Sequence, residues 1–296
     1  QVMRAEGEEG APGSIAQVRA VAGLWQRLAK AASVTVVLVG HVTKQGFLAG
    51  PKVLEHLVDV VLEFEGERQL PYRVLRALKN RFGPTDECGV FEMGEGGLTE
   101  VMNPSAAFLA ERPAGSPGSA VVASLEGSRP FLVEVQALTG RAPFGGTPRR
   151  QVSGAFRERV FLVLAVLERR VGLPLVDVDV YVNIAGGAKV NEPALDLGVA
   201  LAVASSLTDR PVDPKTAVFG EVGLAGEVRS VGQPLQRARE AVRLGFSRLV
   251  VPRRAAASVA GLPEVSLFPA ADVREALRAG LHPRRGEEAA VREGES

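Results

Sequence analysis

Cysteine is almost missing: Cys88 stands alone among 296 residues. That excludes a disulfide scaffold and a cysteine-based zinc site within this chain, and a reducing cytosol fits it. No run of about 18 apolar residues occurs, so no membrane-spanning helix is expected. The most apolar stretch, residues 197–204, is short and follows Asp196. Neither sign of charge dominates, with 35 Lys+Arg against 34 Asp+Glu. No global field then favours nucleic acid or membrane, and any polyanion site has to be a local cluster. No G-x-x-x-x-G-K-[ST] loop for phosphates is present, although such a loop is the usual mark of an NTP-hydrolysing core. The first residues, QVMRAEGEEG, carry no signal-peptide pattern, and the chain starts at Gln1 rather than Met.

What is present is ordinary for a globular protein: 46% hydrophobic and 23% charged residues. At roughly 150 residues per domain, the length predicts two domains. Ser14 can cap a helix over 15–32, where Ile15, Val18, Val21, Ala22, Trp25, Leu28 and Ala29 recur at helical spacing. That stripe puts Trp25 in the core. Residues 34–40 (VTVVLVG) form a continuous β-branched run, which predicts a strand buried on both faces. A loop with two glycines follows at 41–50, then a short helix at 51–57. Alternation predicts strands at 58–65, 71–79, 88–93 and 97–101. The Pro- and Gly-punctuated segment 112–118 is expected to link the two domains. Beyond it, strands are expected at 119–126, 130–138, 176–184, 216–222, 225–231, 248–251 and 265–268. Helices are expected at 155–170, 192–207, 234–244, 253–259 and 271–279. The charged tail from 282 to 296 is expected to be disordered.

The segment Lys79-Asn80-Arg81-Phe82-Gly83 falls where a strand ends and a turn begins. Two cations two residues apart can project toward one anion, with Phe82 packed under the loop and Gly83 easing the exit. A K-x-R pair by itself reads more readily as a solvated basic turn. The pentapeptide resembles the KNRFG motif of the bacterial RadA (Sms) DNA-repair ATPases, and other motifs match in order. Ala11-Pro12-Gly13-Ser14 with Gln17-Val18-Arg19 resembles that family's APGS-x-x-QVR segment. Gly40-His41-Val42-Thr43-Lys44 resembles its GHVTK motif. Residues 49–56 (AGPKVLEH) and Phe64-Glu65-Gly66-Glu67 match two further motifs, and the likeness runs to about residue 280.

The resemblance implies an α/β fold, with a partial RecA-like ATPase core over 1–111 and a Lon protease-like α+β domain over 119–281. Lys79 and Arg81 would act in trans on the γ-phosphate of a neighbour's ATP, with His41 and Thr43 sensing it. Lys44, Phe47 and Lys52 of the glycine-containing loop would touch single-stranded DNA, the lysines on phosphates and Phe47 on a base. The family further implies a homo-oligomeric ring, expected to be a hexamer, in the cytoplasm. Its expected partners are single-stranded or branched DNA and the recombinase RecA. ATP and Mg would sit at the subunit interface, held mostly by residues that this chain lacks. Zinc would belong to the family's N-terminal part, and the chain is expected to begin just after the Walker B acid. The function implied for the intact protein is ATP-driven translocation on single-stranded DNA and branch migration.

A Lon-type peptidase needs a serine activated by a lysine amine. At those two positions stand Asp196 and Leu235. Asp196 is expected to be structural, its charge suiting the first turn of a helix. Ser205, Ser206 and the pair Ser153 and Lys189 are weak substitutes, so the domain is expected to be non-proteolytic. Arg141, Arg149, Arg150, Arg157 and Arg159, and likewise Arg229, Arg237, Arg239 and Arg243, are expected to be either DNA-facing or simply exposed. An active Ser-Lys peptidase and a non-enzymatic ring-forming DNA-binding module are the alternative functions.

Overall fold

Ser14 opens the first helix as its sequence predicts. In the computed structural model its Oγ accepts the Gln17 N–H at 3.4 Å, and α1 spans Ile15–Ala32. The structure describes residues 3–7, 9–11, 13–40, 52–66, 72–85, 87–113, 115–143, 146–187, 189–263 and 265–283, with only the backbone of 52 and 53. Two compact units emerge: Gln1–Glu65 with Leu75–Cys88, and Gly66–Val74 with Gly89–Ser296.

In the first unit, Gln17 is fully buried. Its amide clasps Ala5, accepting from Ala5 N at 2.8 Å and donating to Ala5 O at 3.5 Å. Trp25 is half-buried rather than in the core, and its indole N–H points at Met3 Sδ, 3.4 Å away. The largest departure follows α1. Residues 34–40 form no strand, and Val37 and Val39 are 80% and 86% exposed. A strand buried on both faces requires a hydrogen-bonded neighbour along each edge, and among the described residues none pairs with this run. A short helix, α2 (Lys52–Leu57), precedes β1 (Val60–Glu65), which lies beside β2 (Tyr72–Asn80).

From Gly89 the second unit continues with an antiparallel hairpin, β3 (Cys88–Gly94) and β4 (Gly97–Glu100). Next comes a helix that the sequence reading missed, α3 (Pro104–Leu109), with Pro at its start and Asn103 Oδ1 accepting from Ala106 N. Then follow β5 (Ser119–Glu126), β6 (Arg129–Arg141), a short β7 (Arg150–Ser153) and α4 (Arg157–Val166), which continues into a π-turn over 167–171. β8 (Val178–Ile184) leads to α5 (Asp196–Thr208), β9 (Thr216–Val218), β10 (Glu221–Val222) and β11 (Val228–Arg229). The chain closes with α6 (Pro234–Arg243), β12 (Arg248–Pro252), α7 (Ala256–Val259), β13 (Ser266–Ala270) and α8 (Val273–Gly280).

Seven strands form one mixed sheet in the order β13-β12-β9-β5-β6-β8-β7. Four of its six pairings are parallel, so the fold is α/β with a parallel-rich sheet. Alternation along β5 explains its burial on both faces. Val122 joins the larger core with Val133, Val135 and α5, whereas Val121 and Ala123 join Leu132, Phe219 and Leu249 with α6.

Segment 112–118 lies inside this second unit. Arg112 donates to Ser119 Oγ and to the Pro214 carbonyl, and its guanidinium stands 5.9 Å from the Phe246 ring. Gly118 has φ 87°, and a Cβ there would collide with the Ala137 carbonyl. Helix α3 is pinned by Ser105, whose hydroxyl donates to Glu240 Oε1 at 2.6 Å while accepting from Leu132 N at 2.9 Å. Burial raises the Glu240 pKa, but hydrogen bonds from Arg243 and Ser105 outweigh it and leave the carboxyl below its ordinary value. Glu240 therefore stabilises the fold fully above the usual carboxylate range, and that contribution is lost as pH falls through its lowered value. Acid unfolding followed by circular dichroism is expected to show a shallower acid limb in Glu240→Gln than in the parent.

Candidate functional site

β2 ends in the predicted pair of cations, and both reach the same place, the junction of α2 with β1. Lys79 Nζ donates to the Glu55 carbonyl at 2.6 Å and to the Val58 carbonyl at 2.8 Å. Arg81 N donates to Asp59 O at 3.1 Å, and Arg81 Nη1 meets Asp59 Oδ1 at 2.6 Å. The Arg81–Asp59 pair is exposed, and exposed pairs contribute only about 0–1 kcal/mol. The guanidinium can thus exchange this carboxylate for a phosphate at little cost. The turn itself is made by Asn80, whose Oδ1 accepts from Phe82 N while its Nδ2 donates to Pro84 O. Phe82 does not pack under the loop but is 80% exposed, because Asn80 closes the turn beneath it. Gly83 has no left-handed φ, so the exit does not depend on it. Asp59 was not singled out in the sequence; its place just after the helix, opposite a strand-end arginine, becomes visible only in three dimensions.

His41, Thr43, Lys44 and Phe47 lie outside the described residues, and so does the Lys52 side chain. The structure therefore brings together Lys79 and Arg81 from the expected set. Among the described residues no group of three His, Cys, Asp or Glu could hold a metal ion. These residues do not fit a resident Mg or zinc site, whereas the K-x-R pair suits an anionic ligand.

In the second unit, Asp196 is buried at the start of α5. Arg159 holds both of its carboxylate oxygens, and Val222 N donates to Oδ2 at 3.1 Å. Arg159 also reaches Glu221 at 3.3 Å. Burial pushes the Asp196 carboxyl above its ordinary value and outweighs the Arg159 hydrogen bond, while the Arg159 pKa is raised mainly by that same bond. The free space beside Asp196, lined by Phe156, Arg159, Glu192 and Val199, is about 10 Å³. That is the bare minimum for one water and far too small for a peptide. Leu235 is half-buried in the first turn of α6. Ser205 accepts from Gly118 N and donates to the Arg210 carbonyl, and Ser206 Oγ accepts from Thr139 N. Both hydroxyls are engaged in holding the fold, while Ser153 and Lys189 are exposed.

The arginines separate into two groups. Arg141, Arg149, Arg157, Arg229, Arg239 and Arg243 are exposed. Arg150 and Arg159 are half-buried and bind the Leu175 carbonyl and Asp196. Arg237 departs most from the expectation that it is exposed: its side chain is 1% accessible. It pairs with both oxygens of Glu192 and donates to the carbonyls of Ala123 and Gly232. Glu192 in turn accepts from Ser124 Oγ and Leu125 N.

Residues 133–255 match the family described as subunit ChlI of Mg-chelatase. The chain is 51% identical over 274 residues to a protein named DNA repair protein RadA from Bacillus subtilis (strain 168), covering 92% of this chain and 59% of that protein. It is 55% identical over 242 residues to DNA repair protein RadA from Halalkalibacterium halodurans, covering 82% and 53%. To DNA repair protein RadA from Streptococcus pneumoniae it is 48% identical over 269 residues, covering 91% and 64%. The chain thus spans 53–64% of the length of these relatives. The likeness drawn from the KNRFG, GHVTK and AGPKVLEH motifs is borne out. No helix among the described residues is long and apolar enough to cross a membrane.

Proposed function

We propose, on the premise that this chain is homologous to the DNA repair proteins RadA across most of its length, that it forms the phosphate-sensing and platform parts of a DNA-dependent ATPase. The observation that carries this is the convergence of Lys79 and Arg81 on one strand end. Phosphoryl transfer asks for cations on the developing charge and a positioned nucleophile, with little covalent work by the protein. Lys79 and Arg81 supply such cations in trans to a neighbour's ATP, in an oligomeric ring that we read as a hexamer. His41 and Thr43 sense the γ-phosphate from the end of segment 34–40. Lys44, Phe47 and Lys52 contact single-stranded DNA. Mg accompanies the nucleotide and zinc belongs to sequence outside this chain; neither is given a role for the described residues. The activity is ATP-driven translocation and branch migration of recombination intermediates beside the recombinase RecA, in the cytoplasm. The second domain, over 119–281, is a Lon-like platform without peptidase chemistry, its serine and lysine positions held by Asp196 and Leu235.

The test is ATP hydrolysis, with and without single-stranded DNA, by a protein of the relatives' full length carrying this sequence. Stimulation by DNA is expected, and hydrolysis indifferent to DNA sinks the reading. Cleavage of an unfolded protein substrate that is abolished by Lys189→Ala would instead establish the peptidase. A second reading, a non-hydrolysing DNA-binding ring module, is favoured for this chain alone by its lack of a phosphate loop. For the loop, Lys44→Ala with Lys52→Ala is expected to weaken single-stranded DNA binding. It should also flatten the slope of log affinity against log salt by about 1.4, two phosphate contacts at about 0.7 each. An unchanged slope in a titration by fluorescence anisotropy removes the loop from the DNA contact.

A further inference from the structure

Helix α2 is only six residues long, too short to persist on its own in water. Its last carbonyls are the groups a helix leaves without partners. Here side chains from two other elements take them. Gln26 Nε2, from α1, donates to Leu57 O at 2.7 Å. Lys79 Nζ, from the end of β2, takes Glu55 O and Val58 O. The cation also complements the negative end of the helix dipole. Val58 N in turn donates back to Leu54 O at 3.1 Å, closing the final turn over the residue that Lys79 grips. An ammonium carries three N–H donors. Two are spent on Glu55 and on Val58 just after α2, and among the described residues none takes the third, which can meet an oxygen brought from outside. The neighbouring Arg81 is held by Asp59, the next residue after Val58, so both cations of the K-x-R pair are fastened to one five-residue stretch, Glu55 to Asp59.

We infer that Lys79 is a positioning residue that links a bound phosphate to helix α2, one ammonium shared in competition between the last turn of the helix and the incoming anion. This rests on the reading above that Lys79 meets the γ-phosphate. A phosphate drawing the ammonium toward itself loosens the last turn of α2. Phosphate occupancy and the closure of the last turn of α2 thus become one equilibrium. Asp59 sets the rest position of Arg81 in the same way.

The link is tested by amide hydrogen exchange. In the full chain without nucleotide, Lys79→Met is expected to speed exchange at His56, Leu57 and Val58 roughly ten-fold or more, the loss of hydrogen bonds to a charged donor. Exchange in β5, in the other unit, is expected to stay as it was. Lys79→Arg keeps the charge but presents a planar fork, and is expected to recover only part of the protection. Unchanged exchange at these three amides in Lys79→Met overturns the inference. In a protein of the relatives' full length, adding a non-hydrolysable ATP analogue is expected to speed exchange of the same amides, and Lys79→Met is expected to abolish that response. A response that persists in Lys79→Met overturns the link. If the analogue does not bind at all, the phosphate reading fails together with the link, while the effect of Lys79→Met without nucleotide still reports the clamp, so the two failures are told apart.

Discussion

Arg81→Ala, in a protein of the relatives' full length carrying this sequence, is expected to cut ATP turnover by about 10³–10⁵-fold, the range for losing a trans-acting arginine. The fold is expected to survive, because the side chain is two-thirds exposed and its pair with Asp59 is worth little. Arg81→Lys is not expected to restore turnover, since an ammonium cannot reproduce the planar fork on a phosphoryl group. Mixing Arg81→Ala subunits with subunits disabled in nucleotide binding, each inactive alone, separates a trans from a cis role. A cation acting across a subunit interface restores turnover where an Arg81→Ala subunit holds the nucleotide beside a partner that keeps its arginine, whereas one acting in cis gives no recovery. Steady-state turnover within a few-fold of the parent removes Arg81 from the chemistry.

Arg237→Ala is expected to destabilise the second unit by about 3–5 kcal/mol, as for breaking a buried ion pair from one side. The change takes the charged partner from the half-buried Glu192 carboxylate and frees the buried Ala123 carbonyl and the part-buried Gly232 carbonyl. Those carbonyls belong to β5 and to the turn before α6, so the loss is felt on both sides of the sheet's second core. Arg237→Met with Glu192→Gln removes both charges, and recovers much of the deficit because no unpaired ion remains. Calorimetry of the chain reads both variants. A single variant within about 1 kcal/mol of the parent overturns this account of Arg237.

Arg237 also marks where sequence reading stops. It sits in α6 two residues before Arg239 and six before Arg243, both exposed; helical spacing sets it on the opposite face, beside Ala238 and Ala241, and grouping the arginines by composition passes over that. What buries Arg237 is Glu192, 45 residues earlier, and no local spacing reports a pair that distant. Helix α1 was legible to the residue because cap and stripe are local: Ser14 begins it and the apolar periodicity ends at Ala32. Helix α3 was missed although Asn103-Pro104 offers a cap followed by Pro at the first position, a recognisable start; six residues simply carry too little periodicity. Composition predicts a strand over 34–40, because it registers β-propensity. It says nothing about whether neighbouring strands are there to pair with it. At the site, the K-x-R pair was legible as a motif, but its two holders, Asp59 and the end of α2, were not.

The exposed valines of that run carry a practical consequence for anyone handling the isolated chain. VTVVLVG is uncharged, β-branched and free of proline, the composition that stacks into cross-β fibrils, and no strand among the described residues pairs with it. Concentrated solutions of the chain are therefore exposed to self-templated aggregation that starts from the native state, without prior unfolding. A single lysine at Val37 or Val39 would act there as a gatekeeper and lengthen the life of the sample without touching either core.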